Sequence, residues 1–173
     1  MGATVAGVIL SGFAAYVGAS ARAKGWQEIA WPFPRDGWPP GRAYRCPASF
    51  CGGEMELYVR PKIGFCNCAS GVADDEEVDR VADIDLISER FRPLQPGQVV
   101  RIADMPGRMR SYELQMSDLS QRQAVGMAVS RRCDLMVAVA QGKAAPDALQ
   151  RTALDFLSSS STTRWMKSAM HDG

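Results

Sequence analysis

The most constraining feature of the sequence is an uncharged, apolar segment near its N-terminus. From Ala3 to Ala21 no side chain carries a charge, and Arg22 and Lys24 follow at once. A helix built from this segment would have no polar face, so it is unlike a helix on the surface of a globular domain. Three structures remain open: a secretory signal peptide, a transmembrane anchor and a helix buried in a core. A bilayer needs about 20 apolar residues, and the segment just meets that length.

We therefore expect residues 1–24 to form a signal or membrane-anchor helix, and the chain to be exported or anchored to a membrane. The periplasmic side of the membrane is favoured. The positive charges after the segment point the other way, because the positive-inside rule would leave the domain in the cytoplasm.

Composition narrows the functions that the rest of the chain can have. The 173 residues hold 20 Lys and Arg against 19 Asp and Glu, so the formal charge is +1. Nucleic-acid binders usually show a clear basic excess, and no nucleic-acid partner is expected here. The one histidine, His171, lies at the C-terminal end, where chains are usually poorly ordered. An enzyme with a histidine base is therefore not expected, and the residues identify no small-molecule substrate.

Prolines dominate the stretch that follows the apolar segment. Residues 31–41 read WPFPRDGWPPG, with four prolines and two tryptophans. Proline fixes φ and lacks a backbone donor, so residues 25–45 are predicted to be an extended connector to the domain. Trp26, Trp31 and Trp38 are predicted to contact a membrane interface or a partner, where amphipathic rings are favoured. The alternative is that these rings pack on the domain surface.

Four cysteines cluster in the next segment, and a fifth stands apart. Cys46, Cys51, Cys66 and Cys68 follow the spacing C-x4-C and then C-x-C. In an extended segment Cys66 and Cys68 point to the same face, and they are poorly placed to pair with each other. Disulfides would then run from these two residues back to Cys46 and Cys51, with two connectivities open. Cys133 is interpreted as a small apolar residue at the edge of a core strand.

The same four thiols could instead hold a metal ion. Four thiolates make a closed tetrahedral Zn²⁺ site. Cys46-Pro47 and Cys51-Gly52-Gly53 resemble a zinc-ribbon knuckle, although this loop is two residues too long and its partner is C-x-C. Disulfides persist outside the cytoplasm, whereas clustered cysteines inside it more often bind metal, so the compartment decides between the two sites. In either case residues 46–73 are predicted to form a small Cys-rich subdomain.

Alternation of apolar and polar residues predicts strands along much of the remaining chain. The expected strands cover 54–60, 98–104, 110–116, 124–129 and 135–140. Met55, Leu57 and Val59 share one face of the first of them. The last is apolar on both faces, as a central strand would be. A turn is predicted at Pro106-Gly107.

Helices are expected between and after these strands. Asp74 is a plausible N-cap of a helix over 74–82, and Glu77 completes a capping box. A later helix has Pro146 in its first turn. Its predicted buried stripe is Leu149, Ala153, Phe156 and Leu157. A last short helix carries Trp165, Met166 and Met170.

Together these elements predict an α+β fold, with residues 46–173 forming a single domain. After the N-terminal apolar helix, an antiparallel sheet is expected to be covered by helices. The order of elements in the C-terminal half resembles the α/β/α sandwich of PsbP-like proteins. This resemblance implies a shape and carries no function with it.

The expected function is that of a non-enzymatic accessory or assembly subunit attached to a larger membrane protein complex. Its domain would be stabilised by the four-cysteine site. The alternative is a zinc-binding or thiol-redox protein that uses Cys46, Cys51, Cys66 and Cys68.

Overall fold

Residues 25–64 and 67–170 are described by the structure, which is a computed structural model of the chain. The predicted N-terminal helix, Cys66 and His171 lie outside these residues. Between residues 25 and 170, leaving out 65 and 66, no helix is long and apolar enough to cross a membrane.

The described part of the chain forms eight strands, four α-helices and one 3-10 turn. The strands are β1 (Gln27–Ile29), β2 (Arg42–Cys46), β3 (Met55–Lys62), β4 (Phe91–Pro93), β5 (Gln98–Ile102), β6 (Met105–Gln115), β7 (Gln121–Arg131) and β8 (Asp134–Gly142). The α-helices are α1 (Ala48–Cys51), α2 (Asp75–Val81), α3 (Pro146–Leu157) and α4 (Ser160–Ala169), and the 3-10 helix spans Ile84–Leu86.

All these strands join one antiparallel sheet. Their order is β1-β2-β3-β8-β7-β6-β4. Both β4 and β5 pair with β6, β4 with residues 112–114 and β5 with residues 105–109. The centre of the sheet is the pair β3 and β8, which runs in register from Met55 opposite Gly142 to Lys62 opposite Leu135. The predicted α+β fold with an antiparallel sheet and helices is confirmed.

Helices cover both faces of the sheet because its central strands are apolar on both sides. On the first face, Met55, Leu57 and Val59 of β3 pack in one core with α3 and α4. On the second face, α2 and the 3-10 helix cover a second core. The second core includes Val78, Val81, Ile84, Tyr112, Leu114, Val137 and Val139. The layers are therefore helix, sheet and helix.

Local signals placed α2, α3 and α4 correctly, whereas α1 and the 3-10 helix were not predicted. The Asp74 carboxylate accepts a hydrogen bond from the Glu77 backbone N–H at 2.9 Å, as an N-cap should. The Glu77 carboxylate in turn accepts from the Ala73 N–H at 3.1 Å, which is one residue before the predicted capping-box partner. All four residues of the stripe predicted for α3 are buried.

Three predictions about segment boundaries were wrong. The connector predicted over 25–45 contributes β1 and β2 to the sheet, so only the residues between these strands are irregular. The segment 46–73 is not a separate subdomain, because β3 within it pairs with β2 and β8 in the middle of the sheet. Pro106 and Gly107 lie inside β6, and the chain turns earlier, at Ala103, whose φ is 54°.

Candidate functional site

The irregular segment between β1 and β2 forms an aromatic loop, residues 31–40, on the second face of the sheet. Its Trp31 ring lies edge-on to Tyr58 of β3, with centroids 6.3 Å apart. Phe33 packs against both rings, at 5.3 Å from Trp31 and 4.8 Å from Tyr58. Offset and edge-to-face pairs of this kind stabilise one ring arrangement. The loop is therefore attached to β3 through its own aromatic side chains.

A buried cation sits beneath the loop and fixes it from below. The Arg60 side chain of β3 is only 3% exposed, and it donates to both Asp83 oxygens, at 2.6 and 2.8 Å. Its remaining nitrogen donates to Asp36 of the loop at 2.9 Å, and the shortest contact between the two side chains is 2.7 Å. Arg60 thus joins the loop to the segment that follows α2.

A second buried cation shares the same carboxylate. The Lys62 ammonium donates to the Val81 carbonyl at 2.8 Å and forms an ion pair with Asp83 at 2.7 Å. The Arg60 guanidinium lies 5.9 Å from the centre of the Trp31 ring, and the Lys62 Nζ lies 5.7 Å from that of Trp38. Both distances are within cation–π range. Two cations and two carboxylates balance, so the cluster has no net charge.

Hydrogen bonds favour the charged forms of Asp36 and Arg60. The hydrogen bond from Arg60 lowers the pKa of Asp36 despite the opposing effect of burial. Burial alone would lower the pKa of Arg60, but its hydrogen bonds to Asp83 and Asp36 outweigh that effect and raise the pKa. A proton that neither group exchanges near pH 7 is of little use in acid–base chemistry. Asp36 and Arg60 therefore hold the loop as an ion pair.

The loop encloses an aromatic hollow of about 290 Å³ on the surface of the molecule. It is lined by Trp31, Phe33, Pro34, Arg35, Asp36, Gly37, Trp38, Pro40 and Arg60. Prolines restrict the backbone of the loop, and ion pairs hold Asp36 in place, so the hollow is largely preformed. Aromatic walls with one charged pair at the base can bury an apolar group and orient a polar one.

The three tryptophans predicted to contact a membrane interface or a partner lie on two faces of the sheet. Trp31 and Trp38 both line the aromatic hollow. Trp26 packs on the opposite face of the sheet, with its ring centre 5.1 Å from that of Phe156 in α3. All three rings contact the domain and are half-buried, and the contact predicted for them with a membrane or a partner stays a prediction.

The four-cysteine prediction is corrected, because the structure pairs these residues differently. Cys46 bonds to Cys51, and Cys68 bonds to Cys133, with Cα atoms 6.1 and 4.2 Å apart. The two disulfides lie at opposite ends of β3, an extended strand of eight residues that is about 26 Å long at the usual rise per residue. Cys46 and Cys68 therefore cannot converge on one site.

The role given to Cys133 was also wrong. It lies in the tight turn between β7 and β8, half-buried, rather than at the edge of a core strand. Cys66, the fourth member of the predicted set, is outside the residues described. Within residues 25–64 and 67–170 no group of three or more His, Cys, Asp or Glu side chains is arranged to hold a metal ion. The predicted zinc site of four converging thiolates is therefore not what the described residues build.

Reasoning from the sequence did not identify the residues that anchor the loop. Neither Arg60 nor Asp83 was predicted to have a role. One signal was present in the sequence. The alternation of β3 continues past Arg60 to Lys62, so two cations lie on the same face as Tyr58. On that face the neighbouring strand β8 presents apolar side chains. Cations on such a face need a buried carboxylate. The position of that carboxylate in the chain could not be read from spacing.

Comparisons with known proteins identify no family for this chain. No protein-family model matches the sequence, and neither does any curated protein. A crystal structure of a protein from Bacteroides thetaiotaomicron VPI-5482 is similar over 78% of this chain and 41% of its own, at 10% identity and a TM-score of 0.45. This chain thus spans less than half the length of that protein.

Two further structures are similar over most of their own length. A Pseudomonas aeruginosa protein of unknown function, proposed to be a regulator, is 10% identical over 84% of this chain and 80% of its own, with a TM-score of 0.36. Cyanobacterial PsbP from Synechocystis sp. PCC 6803 is 13% identical over 80% of both chains, with a TM-score of 0.45. At these identities and TM-scores, none of the three indicates a function for this chain.

Proposed function

We propose that this protein is a non-enzymatic, exported accessory subunit that attaches to a membrane protein complex and recognises its partner through the aromatic hollow. The observation that carries this proposal is the immobilised loop over β3. A proline-rich loop held by Arg60 presents Trp31 and Trp38 in a preformed concave surface. Preorganised aromatic anchors are what partner recognition uses, because little conformational entropy is lost on binding.

The disulfides support an exported location. Cys46–Cys51 and Cys68–Cys133 are paired within one small domain. Structural disulfides persist in oxidising compartments and are rare in the cytoplasm. The uncharged segment from Ala3 to Ala21 supplies a route to the membrane, as a signal or an anchor.

The partner expected at the hollow is a protein segment that inserts an apolar side chain. The hollow is walled by aromatic rings and prolines, and its charged pair is internally neutralised. Arg35 adds one exposed positive charge to the lining, and an apolar or aromatic side chain would bury area against Trp31 and Trp38.

The test is the size of the complex that the full-length protein forms in its own cells. After extraction in mild detergent, the wild-type protein should migrate well above its monomer mass of 18.8 kDa on a native gel. Trp31→Ser and Trp38→Ser should each release it from the complex. Trp165→Ser is the matched control, because Trp165 is an equally half-buried tryptophan that lies over Arg42 on the other face.

Two outcomes would contradict the proposal. One is a wild-type protein that migrates as a monomer. The other is a complex that survives the two loop substitutions while thermal melts show that the domain remains folded. The intact mass without reductant tests the location separately, since the hydrogens lost on forming two disulfides are regained on reduction.

A further inference from the structure

Two exposed apolar side chains lie at the end of the sheet where the chain enters the domain. The register places Gln27 opposite Arg45, Cys46 opposite Met55, Met55 opposite Gly142, and Gly142 opposite Gln123. These pairs lie at one level of the sheet. We call this the entry end: Gly25, the loop closed by Cys46–Cys51, and the β6–β7 hairpin of residues 116–120.

The entry end is directly joined to the uncharged N-terminal segment. That segment ends at Ala21, and β1 already begins at Gln27, so the long connector expected from the sequence does not exist. The three residues from Arg22 to Lys24 span at most about 11 Å when fully extended. If the segment is held in a membrane, the entry end must therefore lie against the lipid headgroups.

Phe50 is displayed at this end by a covalently closed loop. Its side chain belongs to α1, inside the Cys46–Cys51 disulfide, and the residue is 67% exposed. It lies beside the entry point itself, since a Cβ added to Gly25 would lie 2.6 Å from the Phe50 Cβ and 2.9 Å from the Cys46 Sγ. A large aromatic ring is thus kept in solvent within contact distance of Gly25.

Leu119 is displayed at the tip of the β6–β7 hairpin. It is 68% exposed and adopts a φ of 65°, in the left-handed region that a bulky side chain rarely occupies. Glycine or asparagine would be expected at such a position in water. Three interstrand spacings, about 14 Å, separate β2, which leads into the Phe50 loop, from β7, which follows the Leu119 hairpin. Two separate features of the fold therefore place apolar groups at the same end.

We infer that the entry end rests on a lipid surface, with Phe50 and Leu119 inserted at the level of the headgroups. This inference rests on the membrane attachment in the proposed function and adds the orientation of the domain. Apolar side chains that penetrate the interface bind by burial of area. The charged groups at this end are of both signs, Arg45, Arg122 and Lys143 against Glu54 and Asp118, and Arg22 and Lys24 precede it in the chain, so the test uses uncharged lipid and high salt to separate burial of area from charge attraction.

The test is photo-crosslinking of the full-length protein in phosphatidylcholine vesicles. p-Benzoylphenylalanine is placed in turn at Phe50, Leu119 and Val99, and lipid adducts are counted by mass spectrometry. Val99 is the matched control, because it is 77% exposed but lies on β5, opposite Arg108, towards the other end of β6. Adducts at Phe50 and Leu119 should exceed those at Val99 by on the order of tenfold, and should persist at about 1 M salt, where charge attraction is screened.

The outcomes separate the two proposals. If alkaline extraction releases the protein from the vesicles, the anchoring in lipid on which this inference rests is wrong, while recognition of a partner is tested separately on the native gel. If the protein stays bound but lipid adducts at the three positions are equal, only the orientation is wrong. Adducts at Phe50 and Leu119 that are protein rather than lipid would also overturn it, because the entry end would then be a protein interface.

Discussion

Among single residues, Asp83 and Asp36 hold the same guanidinium from very different surroundings. The Asp83 side chain is 12% exposed and also neutralises Lys62, whereas that of Asp36 is 31% exposed and contacts Arg60 from the loop. Asp83 itself has a φ of 61°, which aspartate tolerates better than most residues. The carboxylate that organises the cluster is therefore the one after α2.

Asp83→Asn should lower the free energy of unfolding by about 3–5 kcal/mol, because it removes the carboxylate that both buried cations share and leaves Arg60 with Asp36 alone. Asp36→Asn should cost about 1 kcal/mol or less, because this carboxylate is partly solvated. Urea denaturation of both variants gives the two values. Equal losses would mean that Asp83 is not the anchor of the cluster.

Leu119 is predicted to lower the stability of the isolated domain in water. Leu119→Asn should raise the free energy of unfolding by about 0.5–1 kcal/mol, since asparagine tolerates the left-handed conformation and exposes no apolar surface. Val99→Asn is the comparison, because Val99 is equally exposed but extended in β5, and this change should be neutral or destabilising. Denaturation in detergent-free buffer measures both, and a loss of stability in Leu119→Asn would contradict the argument.

Among the elements, the two disulfides close loops of very different length. Cys46–Cys51 spans five residues of sequence and fixes α1, whereas Cys68–Cys133 spans 65 and ties the loop before α2 to the β7–β8 turn. Closing a longer loop removes more entropy from the unfolded chain. The second disulfide should therefore contribute more to stability than the first.

Replacing both cysteines of Cys68–Cys133 by serine should cost about 4 kcal/mol, against about 2 kcal/mol for Cys46–Cys51, on the chain-entropy argument. Both pairs are replaced in a Cys66→Ser background, so that the fifth thiol cannot form a new bridge. Thermal and urea denaturation without reductant give the comparison. A larger loss for Cys46–Cys51 would show that strain or packing, and not loop closure, dominates.

Elements with a strong local pattern were predictable, and those without one were not. The alternation of β3 and the stripe of α3 are properties of adjacent residues, and the structure reproduces both. β1 is three residues long and exposed on two of them, so no periodicity marks it as a strand. It becomes a strand only because β2 offers a free edge. Likewise, Pro106 is tolerated in β6 opposite the short strand β5, at the end of the ladder.

For the whole molecule, carboxylates that accept hydrogen bonds determine the pH below which the folded state loses stability. Burial opposes ionisation of Glu56, but donation from Tyr58, Arg45 and Gln141 outweighs it and keeps the pKa of Glu56 below 4.5. Asp75 behaves in the same way, because the Gly97 N–H and Arg108 lower its pKa below 3.8. These groups are more acidic in the folded state than in the unfolded one, so their contribution is complete above the unfolded pKa and is lost as the pH falls through the folded pKa.

We therefore expect the melting temperature to be constant between about pH 6 and 8 and to fall below about pH 4.5. Glu56→Gln should flatten part of that fall, because the substituted side chain no longer takes up a proton on unfolding. Glu89→Gln, at an exposed carboxylate, serves as the control. Calorimetry across this range decides, and identical acid limbs for Glu56→Gln and the wild type would refute the assignment.

The two proposed surfaces are compatible within one orientation of the molecule. Arg60, at the base of the aromatic hollow, lies five residues along β3 from Met55 at the entry end, or about 17 Å. With the entry end on the membrane, the hollow faces sideways just above the lipid. A membrane-embedded partner could reach it with a short segment outside the bilayer.

Neighbouring residues alone determined the strand faces of β3, β6, β7 and β8, the cap of α2 and the buried stripe of α3, because each depends on contacts within a few residues. Only the tertiary structure decided which cysteines pair. The length of β3 separates Cys46 from Cys68, and the β7–β8 turn places Cys133 next to Cys68. The burial of Arg60 was settled in the same way. Its partner Asp83 is 23 residues away and follows α2, and the packing of α2 on the sheet, which sequence spacing does not encode, brings the two together.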